Sequence, residues 1–173
     1  VKNEKGWEVK KLEHSVVIKP DSILPENSQD YCYIGLEHIE KDTGNILKQS
    51  QSDEVLKSNK FKFDSSHILY GKLRPYLNKV ALPNFSGICS TDIFPISCKD
   101  NADKYFISFI LKSKHFVEHA TVSSVGANLP RANKDTIYNY ETICPPLEIQ
   151  KEFSKKLNNI ISQKEIIKNT TLM

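Results

Sequence analysis

The chain has 173 residues, 39% hydrophobic and 26% charged, which suits a single domain with a real core and excludes a disordered tract. Lys plus Arg number 24 against 21 Asp plus Glu; the net charge of +3 is too small to mark a polyanion partner, so any such face has to come from local clustering. No apolar run approaches the roughly 20 residues of a membrane span, and nothing at the N-terminus resembles a signal peptide.

The four cysteines, Cys32, Cys89, Cys98 and Cys144, lie in apolar stretches without C-x-x-C spacing. That pattern fits buried, reduced thiols of a cytoplasmic protein better than disulfides or a zinc site.

In chain order, Trp7 to Leu12 alternates apolar and charged residues as a short edge strand does, with Trp7 expected to plug the core. Ser15 to Lys19 reads as a second strand, stopped by Pro20-Asp21, and Tyr31 to Ile39 as a third, with a bulge at Gly35. Asp42 to Asn45 is a turn leading to Ile46-Leu47, and Lys48 to Ser58 a polar loop. Lys57, Lys60 and Lys62 interleave with Phe61 and Phe63, which reads either as a half-buried strand with a solvated outer face or as a face toward a polyanion.

The densest signal runs from Asp64 to Asp92. Ile68-Leu69-Tyr70 reads as a buried strand, punctuated by Gly71 and Pro75. Lys72, Arg74, Asn78 and Lys79 then crowd one corner before further strands around Val80 and Ile88. Such a corner suits phosphate oxygens or guanine edges, although a solvated basic turn accounts for it equally. Ile93 to Ser97 is another strand, at an edge because of Pro95.

Past Asn101 the period changes from two to between three and four. Asp100, Asn101 and Asp103 offer N-caps for a helix bearing Tyr105, Phe106, Phe109, Ile110 and Leu111, and His115 to Thr121 reads as a second helix. Ser123 to Lys134 is irregular, with Asn128, Arg131 and Lys134 forming a second polar-cationic loop. Asp135 to Cys144 is expected to return to a strand. From Leu147 the pattern is helical to the end, with Ile149, Phe153, Leu157, Ile160, Ile161 and Ile167 at spacings that put an apolar stripe on one side. A helix of about 25 residues is a rod of roughly 35–40 Å. Its stripe asks either for a partner helix or for the chain's own sheet.

His115-Phe116-Val117-Glu118-His119 matches H-x-x-E-H, in which two histidines one helical turn apart ligate zinc and the glutamate activates water. A small zinc hydrolase is therefore an alternative, as is a protein-interaction module, but no third ligand stands out. The phosphate loop, G-x-G-x-x-G and nucleophile-elbow patterns are missing, and Cys144-Pro145-Pro146-Leu147 is not the motif that holds an adenine amino group in DNA methyltransferases.

An ordered series of segments resembles the specificity (S) subunits of type I restriction-modification systems. It comprises Trp7 to Leu12, Tyr33 to Ile39, Ile68-Leu69-Tyr70-Gly71-Lys72-Leu73-Arg74-Pro75-Tyr76-Leu77-Asn78-Lys79, Gly87 to Asp92, Gly126-Ala127-Asn128-Leu129-Pro130-Arg131 and Pro145 to Gln150. The resemblance implies an α+β fold: a β-rich target recognition domain (1–144) with a few short helices, then a long spacer helix (145–173) that pairs in an antiparallel coiled coil. It implies a non-catalytic reader of double-stranded DNA, one half of a bipartite target per domain. The reader directs a methyltransferase (M) subunit that brings S-adenosylmethionine and a restriction (R) subunit that uses ATP and Mg. This chain holds one such domain and one helix, so it is expected to be either a fragment or a half-length subunit that homodimerises through the helix and reads a palindromic split site.

Lys72, Arg74, Asn78, Lys79, Asn128, Arg131 and Lys134 are the expected DNA-facing residues. The six apolar residues from Ile149 to Ile167 are the expected helix interface. The resemblance cuts against base reading by motif residues, since subunits that share them read different targets; phosphate contact or loop-locking fits them better. Base readers are then expected in loops such as Gln49 to Lys62.

Overall fold

The computed structural model describes residues 5–25, 31–47, 58–123 and 129–171. Among the described residues, two four-stranded sheets and one two-stranded ribbon carry the fold. The central sheet has the order β2 (Val16–Val17), β9 (Ile93–Cys98), β6 (Ile68–Gly71), β7 (Val80–Ala81), all antiparallel. The outer sheet runs β3 (Ser22–Ile23), β5 (Lys60–Phe63), β8 (Gly87–Cys89), β4 (Tyr33–Ile34), with only the β4–β8 pair parallel. β1 (Glu8–Lys11) pairs with β10 (Glu141–Cys144) as the ribbon.

β6 explains the layering. All four of its residues are buried because both sheet faces are covered, as a continuous apolar run requires. Alternate side chains face opposite ways. Ile68 and Tyr70 enter a core shared with α1 (Lys104–Lys112) and α2 (Lys114–Val122), while Leu69 enters a second core with Ile34, Phe63 and Cys89 of the outer sheet. The same split divides Val80 from Ala81 and Phe94 from Ile93. Each such side chain contributes about 1.5–3 kcal/mol through removal from water.

Several local expectations change. Trp7 does not plug the core; it is half-buried on the rim of a groove it shares with Phe109, Ile143 and Phe153. Gly35 makes no bulge but precedes a 3-10 turn at Leu36–His38, where its N–H donates to His38 Nδ1 at 3.0 Å. Asp135 does not open a strand. Asn133 Oδ1 accepts from the Thr136 N–H at 2.8 Å and the Asn133 N–H donates back to Thr136 Oγ1, so this capping box starts α3 (Lys134–Tyr138) and leaves β10 only four residues. β9 is internal at its C-terminal end, but β2 pairs only with Ser97 and Cys98, so Pro95 has β6 as its one paired neighbour. Lys60 is 5% exposed and its ammonium donates to the carbonyl and hydroxyl of Ser58; only Lys62 of that strand faces solvent, beside Asp21. Lys57 and residues 48–56 lie outside the described residues.

α4 (Leu147–Thr171) begins after Pro145-Pro146 and is held to the domain by polar groups. Gln150, 2% exposed, accepts from the Asp103 N–H and donates to the carbonyls of Asn101 and Pro145 at 3.0, 3.1 and 2.9 Å. Ser154 donates to Asp103, the residue that also caps α1 by accepting from Phe106 N. Phe153 packs edge-on against Phe106 and Phe109. Ile149, Ile160 and Ile161 are exposed, Leu157 is half-buried, and the side chain of Ile167 lies outside the described residues. No helix among the described residues is long and apolar enough to cross a membrane.

All four cysteines are free, but Cys89 alone is buried, and desolvation pushes its thiol up to about 12. Cys89 is therefore expected to resist iodoacetamide at pH 8 in the native protein and to react after denaturation, as read by mass spectrometry. Because its folded pKa lies above the unfolded one, its contribution to stability is complete below about pH 8.5 and is lost as pH rises toward 12. Gln150→Ala, which leaves the Asp103 N–H and two carbonyls without this partner, is expected to cost about 2–4 kcal/mol in urea unfolding.

Candidate nucleic-acid interface

Beyond the end of β6 the chain turns a corner that its own backbone constrains. Gly71 donates to the Lys79 carbonyl at 2.8 Å, closing the corner, and a Cβ there would come within 2.8 Å of the Leu36 side chain. Pro75–Leu77 form a 3-10 turn flanked by two left-handed residues, Arg74 (φ 53°) and Asn78 (φ 48°). Asparagine tolerates this region, whereas arginine is held there against about 1 kcal/mol of strain.

The two cationic loops, nearly 60 residues apart in sequence, are joined. The Arg74 N–H donates to the Pro130 carbonyl at 2.8 Å, and the Ala132 N–H donates to the Lys72 carbonyl at 2.9 Å, which sets Leu73 opposite Arg131 as an antiparallel bridge. A third segment joins them where the Lys72 N–H donates to the Asp92 carbonyl at 2.9 Å, just before β9. Arg131 Nε then donates to Asp92 Oδ1 at 3.1 Å.

The side chains in this cluster differ in commitment. The Lys72 ammonium lies over the Phe94 ring, 4.9 Å from its centroid. Burial lowers its pKa, against which Asp92 raises it and Arg131 lowers it further. Arg74 is exposed with no side-chain partner among the described residues, and Tyr76, 46% exposed, stands two residues on. Arg131 is exposed, and Lys134 is exposed at the first position of α3.

Asn78 and Lys79 turn elsewhere. Asn78 Nδ2 donates to the Lys112 carbonyl at 3.2 Å and its Oδ1 is buried without a partner among the described residues. The Lys79 ammonium donates to the Leu36 carbonyl at 2.7 Å, tying the corner to the turn after β4. Both are half-buried and, in this structure, their side chains bond within the chain and hold the corner. Asn128 lies outside the described residues, as do 49–57 of the expected base-reading loop. Asp92 and Tyr76 were not singled out in the sequence. Asp92 lies 39 positions from Arg131, so no local spacing announces the pair, while Tyr76 was legible only as the residue after Arg74-Pro75.

The H-x-x-E-H stretch does not assemble a metal centre. His119 Nε2 donates to the Thr136 carbonyl at 3.0 Å and its ring lies against Tyr140, tying α2 to α3, whereas His115 is exposed. Among the described residues no three His, Cys, Asp or Glu side chains are grouped to hold a metal ion.

Loops from distant parts of the chain are thus cross-linked by backbone hydrogen bonds at one end of a buried sheet, and they bear exposed cations. The chain belongs to the family described as the type I restriction modification DNA specificity domain, whose model matches residues 4–172. It is 28% identical over 144 residues to the EcoDI type I restriction enzyme specificity subunit of Escherichia coli, a match covering 83% of this chain and 32% of that protein. Its fold is similar to that of the HsdS subunit from Thermoanaerobacter tengcongensis, with TM-score 0.79, 20% identity, and coverage of 98% of this chain and 46% of the other. A chain from a structure on complex assembly and conformational transition of the type I R-M system gives 0.78 at 21% identity, with the same coverage. The S subunit from M. genitalium gives 0.64 at 15% identity, covering 98% and 42%. The chain thus spans about a third to a half of the length of these relatives.

Lys79→Met is expected to lower stability by about 1.5–3 kcal/mol through loss of the charge-assisted bond to Leu36. Arg74→Gly, which relieves the left-handed strain, is expected to raise it by about 0.5–1 kcal/mol. Urea titration of both variants distinguishes the residue that holds the corner from the one that it displays.

Proposed function

We propose that this chain is a non-catalytic DNA-reading module that recognises one half of a bipartite target in double-stranded DNA and directs a methyltransferase and a restriction subunit to it. The single observation that carries the reading is the joining of the Lys72–Arg74 and Pro130–Ala132 segments, which brings Lys72, Arg74 and Arg131 onto one cross-linked corner, with Arg131 paired to Asp92. Family membership supports it independently. A surface of this kind gains affinity from phosphate neutralisation and sequence choice from neighbouring loops. In this reading S-adenosylmethionine, ATP and Mg belong to the partner subunits.

The target recognition domain covers 1–144 and the spacer helix 145–173, and α4 pairs with a second such helix as an antiparallel coiled coil. The partial exposure of Ile149, Ile160 and Ile161, each 40–51% exposed, supports that pairing. The second helix comes either from another part of a longer subunit or from a second copy. The zinc-hydrolase alternative is not favoured, because His119 is engaged by the Thr136 carbonyl.

The chain co-expressed with its neighbouring methyltransferase subunit is expected to methylate adenine in a split motif, palindromic if two copies pair, as mapped by sequencing modified bases. Its DNA affinity is expected to fall steeply with salt, with each neutralised phosphate adding about 0.9 to the log–log slope. Arg74→Ala, which keeps the Cβ and removes a side chain without a partner among the described residues, is expected to weaken binding while unfolding at a nearly unchanged denaturant midpoint. A flat salt response would remove DNA as the ligand.

A further inference from the structure

We infer that Asp92 is a positioning residue that sets Arg131 as a pre-formed fork for a DNA phosphate, an inference that rests on the DNA-reading proposal above. Arg131 is fixed at both ends. Its backbone is bracketed by the Arg74-to-Pro130 and Ala132-to-Lys72 hydrogen bonds. Its guanidinium is held through Nε alone, on Asp92 Oδ1 at 3.1 Å, and neither terminal nitrogen has a partner among the described residues. A guanidinium tethered through Nε keeps both Nη groups for a two-point contact, the geometry that matches a phosphate.

Asp92 is itself anchored. Its carbonyl accepts from Lys72 N at 2.9 Å and its N–H donates to Ser90 Oγ at 3.2 Å. The Lys72 ammonium, over Phe94, lies within electrostatic reach of both members of the pair and supplies a second cation to the same anion. Arg74 offers the internal contrast: its side chain has no partner among the described residues and must be ordered when it binds.

The carboxylate therefore acts in two opposing ways. Its charge repels DNA, while its hydrogen bond removes the rotamer freedom that Arg131 would otherwise lose on binding. Ordering one such side chain is worth about two- to tenfold in affinity. The charge is already offset by Arg131 at 3.1 Å and is screened beyond about 8 Å at physiological salt. Ordering prevails, so deleting a negative charge from this face weakens DNA binding.

The test is anisotropy of a labelled random-sequence duplex and of a duplex carrying the mapped methylation motif, titrated with the full chain in complex with its methyltransferase subunit at physiological salt. Asp92→Ala, which removes the acceptor of Arg131 Nε, is expected to weaken both duplexes alike by about two- to tenfold. In an Arg131→Ala background the same change is expected to give no further loss. Circular dichroism melting of each variant checks the fold, and Asp92→Ser gives a second version lacking the carboxylate. Unchanged or tighter binding by Asp92→Ala overturns the inference while leaving DNA reading intact, as does a loss that persists in the Arg131→Ala background. A loss confined to the motif duplex replaces the phosphate with a guanine edge and overturns the assignment. Failure of the parent complex to bind either duplex overturns the DNA reading, and this inference with it.

Discussion

Everything else in this molecule depends on β6 being buried from both sides. Leu69 reaches one core while Ile68 and Tyr70 reach the other, so the strand cannot shift by one residue without exchanging its partners in both cores at once. That double constraint fixes the point at which the chain leaves the sheet. Gly71 therefore enters the corner at a defined height, and Lys72 to Asn78 hang from a rigid strand rather than from a mobile hairpin. The chemistry of the corner is the chemistry of what protrudes from a strand that cannot slip.

The cross-link to the second loop extends this rigidity. Residues 130–132 lie about 60 positions beyond β6, and alone they would have no fixed relation to it. Two backbone hydrogen bonds to Lys72 and Arg74 give them one. Backbone bonds are indifferent to the side chains around them, so a surface assembled this way tolerates new side chains in its neighbouring loops while its frame persists. Such a division suits a module whose relatives share a scaffold but differ in sequence.

The apolar alternation and the turn residues made the places of several strands along the chain legible, because β6, β8 and β9 are largely buried runs bounded by Gly, Pro and Asn, whereas their order in the sheets was not. The long helix was legible from its period. Less legible was anything decided by a partner distant in sequence. Trp7 looked like a core residue because tryptophan is large and apolar, yet its ribbon lies outside both cores. Asp135 to Tyr138 looked extended because Thr136 and Ile137 are β-branched, but the Asn133 capping box outweighed that preference. Lys72, Arg74 and Arg131 were recognised as belonging to basic loops. That Arg131 meets Asp92, and that Asn78 and Lys79 bond carbonyls within the chain, depends on contacts spanning 34 to 43 positions in which no local pattern exists.

The attachment of α4 has a mechanical consequence. An apolar contact allows sliding and rolling, whereas Gln150 makes three directional hydrogen bonds and Ser154 a fourth, so the helix leaves the domain as a lever with a fixed bearing. From that fulcrum to Thr171 is about 30 Å at 1.5 Å per residue. A change of roughly 5° at the base displaces the tip by nearly 3 Å, close to the 3.4 Å spacing of successive bases along a DNA strand. The polar hinge-pin at Gln150 and Ser154, beside the packed ring of Phe153, thus resists sliding and rolling at the one place where a small rotation is magnified most.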